Sequence, residues 1–217
     1  MKLLNALIEK AKKNTKKIIL PEGNDLRVIK AASRAVQEKI ASIILIGDRE
    51  TIENVAKKNS IELQGIEIVE PPKDAHLNQI VSTFYELRKH KGITEEDAKK
   101  KILENPAYFA GLMTRLDMAD GFVAGACHTT ANVAKAAIHC LKIDKEIGIV
   151  SSSFVIALKD CPFGDNGLFI FGDCGIIPNP SAKQLAGVAM SCGSIMQNLF
   201  DIEPKIALLS YSTKGSA

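Results

Sequence analysis

The sequence predicts an α/β protein: a doubly wound, largely parallel sheet with flanking helices over residues 1–144, and a second, incomplete α/β region over residues 145–217. Three observations predict it. Over the first seventy-odd residues, short apolar runs closed by Gly, Pro or Asp alternate with amphipathic segments, the pattern of βαβ units. A long helical stretch, about 76–116, then precedes another apolar run. Past residue 145, two apolar runs flank Asp165-Asn166-Gly167, a tight-turn triplet that predicts a hairpin.

The elements follow in order. Leu3, Leu4, Leu7, Ile8 and Ala11 recur at helical spacing, so the chain opens on an amphipathic helix. KIILPEG (17–23) is a strand closed by Pro21 and Gly23. Asp25 then caps a helix to about Lys39, with Val28, Ile29, Ala32, Ala35 and Val36 on one face. SIILIGD (42–48) is a second strand with a helix to about Lys58, and IEIVEPP (66–72) is a third. The helical block from His76 to Leu116 is broken near Gly92 and Pro106. DGFVAGA (120–126) is the next strand, leading through CHTTAN into a helix reaching about Leu141. IGIVSSSFVIAL (147–158) and GLFIFGD (167–173) are the hairpin strands. A helix over about Ser181–Leu199 precedes a final strand, KIALLSY (205–211).

Composition excludes several classes. With 217 residues, 46% of them hydrophobic, the chain can bury the core of one large or two small domains. Twenty-eight basic against twenty-five acidic residues leave +3, too balanced to predict nucleic-acid binding. The Lys runs at 10–17 and 99–101 alternate with apolar residues as solvated helix faces do. No eighteen apolar residues run together and the N-terminus lacks a signal-peptide core, so a cytoplasmic protein without membrane contact is expected. Cys127, Cys140, Cys161, Cys174 and Cys192 show no CxxC spacing, which argues against a zinc site or disulfide framework and for buried free thiols.

Ligands of open α/β sheets sit beyond the carboxyl ends of the strands. That rule selects PEGNDLR, GACHTT, SSS and SYSTKGSA, segments rich in hydroxyls, backbone amides and basic groups and short of acids. Such surroundings suit a phosphate. Arg27 follows the first strand within a turn, Arg88 stands with Lys89, His90 and Lys91 at a helix end, and Lys135 lies in the helix after HTT. Each has a plainer reading. An arginine is often a surface charge, RKHK before Gly92 is favourable charge at a helix C-terminus, and His128 can be a satisfied structural histidine. Neither GxxxxGK[ST] nor GxGxxG is present. Spacing alone reaches a small phosphorylated ligand and no further.

FYELRKHKG, GACHTT and LLSYSTKGSA, in that order, with LPEGNDLR before them and DCPFGDNG between, resemble the phosphate acetyltransferase (phosphotransacetylase) family. The likeness runs over essentially the whole chain and corresponds to the N-terminal two-thirds of family members. It implies two α/β domains of the isocitrate/isopropylmalate dehydrogenase-like fold with a site in the cleft between them, and a homodimer. The implied reaction interconverts acetyl-CoA plus phosphate with acetyl phosphate plus CoA. CoA is then a substrate, and no metal or redox cofactor takes part. Carried over by motif, the implied substrate-binding residues are Arg27, Arg88, His128, Thr129, Thr130, Lys135, Ser212, Thr213, Lys214 and Gly215, with Cys161 near the site. Lys135 stands where relatives commonly have Arg, keeping the charge without the planar fork. The family's chemistry is direct attack of the CoA thiolate on the acetyl carbonyl. Its base, an Asp, and an assisting Ser–Arg pair are expected beyond Ala217, so this 217-residue form is expected to be inactive or weakly active. A phosphate butyryltransferase and a non-catalytic acetyl-CoA-binding module are the alternatives.

Overall fold

A computed structural model describes residues 2–141 and 143–210. Contacts divide the chain into two compact units, Ile8–Lys142, and Met1–Leu7 with Ile143–Ala217.

In the first unit, β1 (Lys16–Leu20), β2 (Ala41–Ile46), β3 (Ile66–Val69) and β4 (Gly121–Phe122) form a parallel sheet in the order β3-β2-β1-β4. Helix α1 (Lys2–Lys13) precedes it, α2 (Leu26–Gln37) joins β1 to β2, and α3 (Arg49–Lys58) joins β2 to β3. Helices α4 (Leu77–Arg88), α5 (Glu95–Glu104) and α6 (Pro106–Arg115) lead to β4, and α7 (Thr130–Cys140) follows it. The order reverses between β1 and β4, as in a doubly wound sheet.

Successive strand residues point to opposite faces. Ile43 and Leu45 meet Ile29, Ala32, Ile52 and Ala56 of α2 and α3. Ile44 and Ile46 meet the other layer, where Ile80, Phe84, Ile102 and Phe109 are buried. Both faces are covered, which is why the strands read as continuous apolar runs.

The helix starts follow local chemistry. Side chains of Asp25, Asp48, Asn105 and Thr129 accept a backbone N–H in the first turns of α2, α3, α6 and α7, and Thr94 and Asp97 form a capping box on α5. Gly92, at φ 79°, ends the turn Lys89–Lys91, so RKHKG is the helix terminus that its composition allowed. Strand β4 is shorter than expected. After the Val123 N–H donates to Ile19 O, the backbone leaves the ladder at Gly125 (φ 117°).

In the second unit, β5 (Ser153–Ala157) and β6 (Leu168–Gly172) pair antiparallel, and α8 (Ala182–Phe200) packs on β6. The expected hairpin is present. Asn166 and Gly167 take positive φ, and the Gly167 N–H donates to Phe163 O. Two expectations are corrected. The strand expected over 147–158 covers only 153–157, because residues 147–152 have no paired neighbour; the backbone of Ile147 instead lies close under Gly187 of α8. Residues 205–210, expected as a strand, join no ladder, since a strand needs an adjacent strand to satisfy its backbone groups. Tyr211 lies outside the described residues.

Of the free cysteines only Cys140 is buried; Cys127 is exposed and the others are half-buried, which corrects the expectation of buried thiols throughout. Among the described residues, no helix is long and apolar enough to cross a membrane.

Candidate functional site

Where β1 and β4 lie side by side, their crossovers leave in opposite directions, and the loops after them face each other. The carboxylate of Glu22, from the first loop, occupies that place with its side chain 3% exposed. Its Oε2 accepts the N–H groups of Gly125 and Ala126 at 2.9 and 2.7 Å. Its Oε1 accepts those of Cys127 and His128 at 2.7 and 2.9 Å, and His128 Nδ1 stands 2.7 Å away. The amides of GACH, expected to face a phosphate, thus already hold an anion that belongs to the chain. The expectation of a site short of acids is corrected here.

Burial pushes the Glu22 carboxyl up, but the N–H of Cys127, the His128 side chain and the N–H groups of Ala126 and Gly125 outweigh it and hold the pKa at about 2. Held there rather than at 4.5, the carboxylate contributes roughly 3 kcal/mol at neutral pH. Because the folded value is the lower one, that stability is present above about 4.5 and is lost as pH falls toward 2. Urea unfolding of wild type and Glu22→Gln at pH 7 and pH 3 checks this: the stability gap between them narrows by about 2 kcal/mol or more at pH 3.

Arg27 begins α2 beside this clamp. Its Nη2 donates to Asp25 Oδ2 and to Ala126 O, both at 2.7 Å, and its Nε donates to Asp25 Oδ1 at 3.0 Å. The Arg27 guanidinium and the Cys127 thiol hold Asp25 well below the usual carboxylate range. The thiol donates to Asp25 at 3.2 Å, which raises its own pKa and leaves it a poor nucleophile.

A cavity of about 510 Å³ opens at the carboxyl ends of β1, β2 and β3, and His128 and Glu22 are in its wall. Backbones approach closely beneath it. A Cβ on Gly23 would stand 2.6 Å from Ile46 O, and one on Gly47 would stand 2.5 Å from Asn24 Oδ1.

A second group lies in the helical layer of the same unit. Half-buried Arg88 ends α4, and exposed Lys135 lies on α7. Burial lowers the pKa of His139, and Arg88, Lys135 and Lys101 lower it further. His139 Nδ1 is 3.0 Å from the Tyr108 hydroxyl, and Lys101 Nζ stands 5.2 Å from the Tyr108 ring centroid. Three cations thus act on one imidazole from within electrostatic reach, an arrangement that attracts a multiply charged anion.

The fold therefore ties Arg27 to the loop that carries His128, and sets Arg88 and Lys135 within electrostatic reach of His139. Thr129 caps α7, accepting the Asn132 N–H, and Thr130 is the helix's first residue. Cys161 is in the loop after β5, its Sγ 3.9 Å from Phe163 O. Ser212, Thr213, Lys214 and Gly215 lie outside the described residues. Sequence reading missed Glu22, Lys101, Tyr108 and His139. It also missed Asp173 in the second unit, whose carboxylate accepts N–H groups of Ser152, Ile176 and Ile177 and is held below the usual carboxylate range. A lone acid directly after a strand, as in PEG and GDC, was the available signal.

The family model described as Phosphate acetyl/butaryl transferase matches residues 2–217. The phosphate acetyltransferases of Thermoanaerobacterium thermosaccharolyticum and Acetivibrio thermocellus are each 42% identical over 217 residues. All of this chain is aligned, against 65% and 64% of theirs, so it spans about two-thirds of their length. The solved phosphotransacetylase from Streptococcus pyogenes superposes with a TM-score of 0.87 at 35% identity, and EutD phosphotransacetylase from Staphylococcus aureus with 0.84 at 33%. Each is matched along the whole of this chain and over 64% and 63% of its own.

Proposed function

The chain belongs to the phosphate acetyl/butyryl transferase family, and from that premise we propose that its protein interconverts acetyl-CoA plus phosphate with acetyl phosphate plus CoA. The observation that carries the reading beyond membership is the convergence of Arg88, Lys135 and Lys101 on His139, a cluster suited to the phosphates of CoA. Arg27 and His128 are both fastened into the loops at the switch point of the sheet, where an α/β protein binds its ligand.

In the proposed reaction the CoA thiolate attacks the acetyl carbonyl of acetyl phosphate. A C–S bond forms, and the tetrahedral centre collapses with C–O cleavage and departure of phosphate. Much of the acceleration comes from holding two anionic substrates in contact, which the cations make feasible. The thiol needs a base and the oxyanion needs donors. The family resemblance assigns these to an Asp and a Ser–Arg pair in the part of the relatives that lies beyond the stretch matched here. Neither a metal nor a redox cofactor enters the scheme. A cytoplasmic homodimer is the proposed setting.

A polypeptide of these 217 residues is accordingly expected to bind CoA, with turnover ~10²–10⁴-fold below that of a complete relative. Calorimetry with CoA and a colorimetric assay of acetyl phosphate, run with acetyl- and butyryl-CoA, test this. Absence of CoA binding removes the proposal. Full turnover removes the assignment of the base, and a preference for butyryl-CoA moves the acyl specificity.

A further inference from the structure

We propose that Glu22 is a positioning residue that holds His128 as its Nδ1–H tautomer, so that His128 Nε2 accepts a hydrogen bond from a neutral O–H, N–H or S–H group of the substrate in the cavity beside it. The inference rests on the CoA reading above and identifies which part of that molecule His128 meets.

The tautomer follows from the donor count. A carboxylate only accepts, and Glu22 already receives four backbone N–H groups. An imidazole nitrogen 2.7 Å from its Oε1 must therefore carry a proton. With Nδ1 engaged, the opposite ring edge offers a lone pair at Nε2. The ring cannot turn without leaving a buried carboxylate short of a donor, and the N–H of His128 itself is fastened to the same oxygen. This is the arrangement by which an acid orients a histidine toward a third group.

The class of partner follows from the cavity wall. Its carboxylates are Glu22, Asp25, Asp48 and Glu70, against two cations, the ammonium of Lys73 and the Arg27 guanidinium that is paired with Asp25, so the wall keeps an excess of negative charge. Each of the four is held below its ordinary pKa and is ionised at neutral pH. A phosphate dianion is repelled from such a wall. Pro21, Ile46, Pro71, Pro72, Leu103 and Pro106 supply the apolar surface. A neutral, flexible, largely apolar arm bearing amide, hydroxyl and thiol donors matches both features, and the pantetheine arm of CoA has that chemistry. The phosphates of the same molecule are then left to the basic cluster around His139.

Long-range ¹H–¹⁵N spectra of the 217-residue chain, with the His128 signals identified by their loss in His128→Gln, read the tautomer directly at a pH where the ring is neutral. The expected result is a protonated Nδ1 and a bare Nε2. Reduced pantetheine is expected to shift the Nε2 resonance, while inorganic phosphate leaves it in place. In Glu22→Gln, whose amide can donate as well as accept, the signal moves toward the Nε2–H form. A wild-type Nε2–H tautomer overturns the proposal without reference to any variant, and so does an Nε2 resonance that responds to phosphate and not to pantetheine. CoA that binds by calorimetry while Nε2 stays unmoved also overturns it and leaves the proposed function standing. If CoA does not bind, the proposed function fails, and the pantetheine titration alone decides the role of His128.

Discussion

Replacing Glu22 by Ala is expected to destabilise the 8–142 unit by about 3–5 kcal/mol, the scale of breaking a buried charged network by removing one partner. The change strands the N–H groups of Gly125, Ala126, Cys127 and His128 in the space the carboxylate filled. It also unties the loop after β4 from the loop after β1, and a two-residue strand has few ladder bonds to hold that loop alone. Urea denaturation gives the loss in stability. Hydrogen exchange locates it, because the amides of residues 125–128 should lose protection before those of β1 and β2. Glu22→Gln keeps one acceptor oxygen and is expected to lie between the two. A loss of less than about 1 kcal/mol for Glu22→Ala would mean that water replaces the carboxylate and that the clamp is dispensable.

Under the proposed function, replacing Arg88 by Ala is expected to weaken CoA binding by about 10–100-fold, the range for losing a charge-assisted bidentate contact to phosphate. Arg88→Lys should recover only part of this, since a point charge lacks the planar fork. At Lys135 the reverse holds. Lys135→Arg supplies the planar fork that the family resemblance implies here and is expected to tighten binding severalfold, with Lys135→Ala weakening it. Calorimetry at two ionic strengths measures the series, and the wild-type affinity should fall more steeply with salt than that of Arg88→Ala. An independent readout is the imidazole of His139. Burial remains the main cause of its lowered pKa in the variant, but removal of the Arg88 charge moves it back toward 6.5. Unchanged affinity across the series would show that these cations are surface charge.

The site was legible in part. Arg27 and His128 could be named because they follow strand ends, Arg88 because it stands in a basic run at a helix end, and Lys135 because it lies in the helix after HTT. Their groupings could not be named. Arg88 and Lys135 belong to α4 and α7, and it is the packing of those helices that sets both charges around His139. Glu22 escaped notice for a different reason. A single acid in a strand-end loop looks solvated, and only its partners reveal that it is among the few buried charged side chains described. The first part of the strand expected over 147–158 and the described part of the one expected over 205–211 failed on similar grounds. Their apolar residues carry the propensity, but a ladder also requires a neighbour.

The amino-acid sequence by itself determined the alternation of apolar runs and amphipathic helices, the capping residues, the Asn166-Gly167 turn and the likeness to the transferase family. These depend on side-chain periodicity and on contacts within a few residues, which propensity and pattern encode directly. The tertiary structure alone decided what meets at the switch point. Glu22 finds its partners 103 to 106 residues further along the chain, and only because the strand order places β4 beside β1. Burial then makes an unpaired carboxylate so costly that it collects every donor within reach. That is how an acid which looks solvated in sequence comes to hold the loop that carries His128.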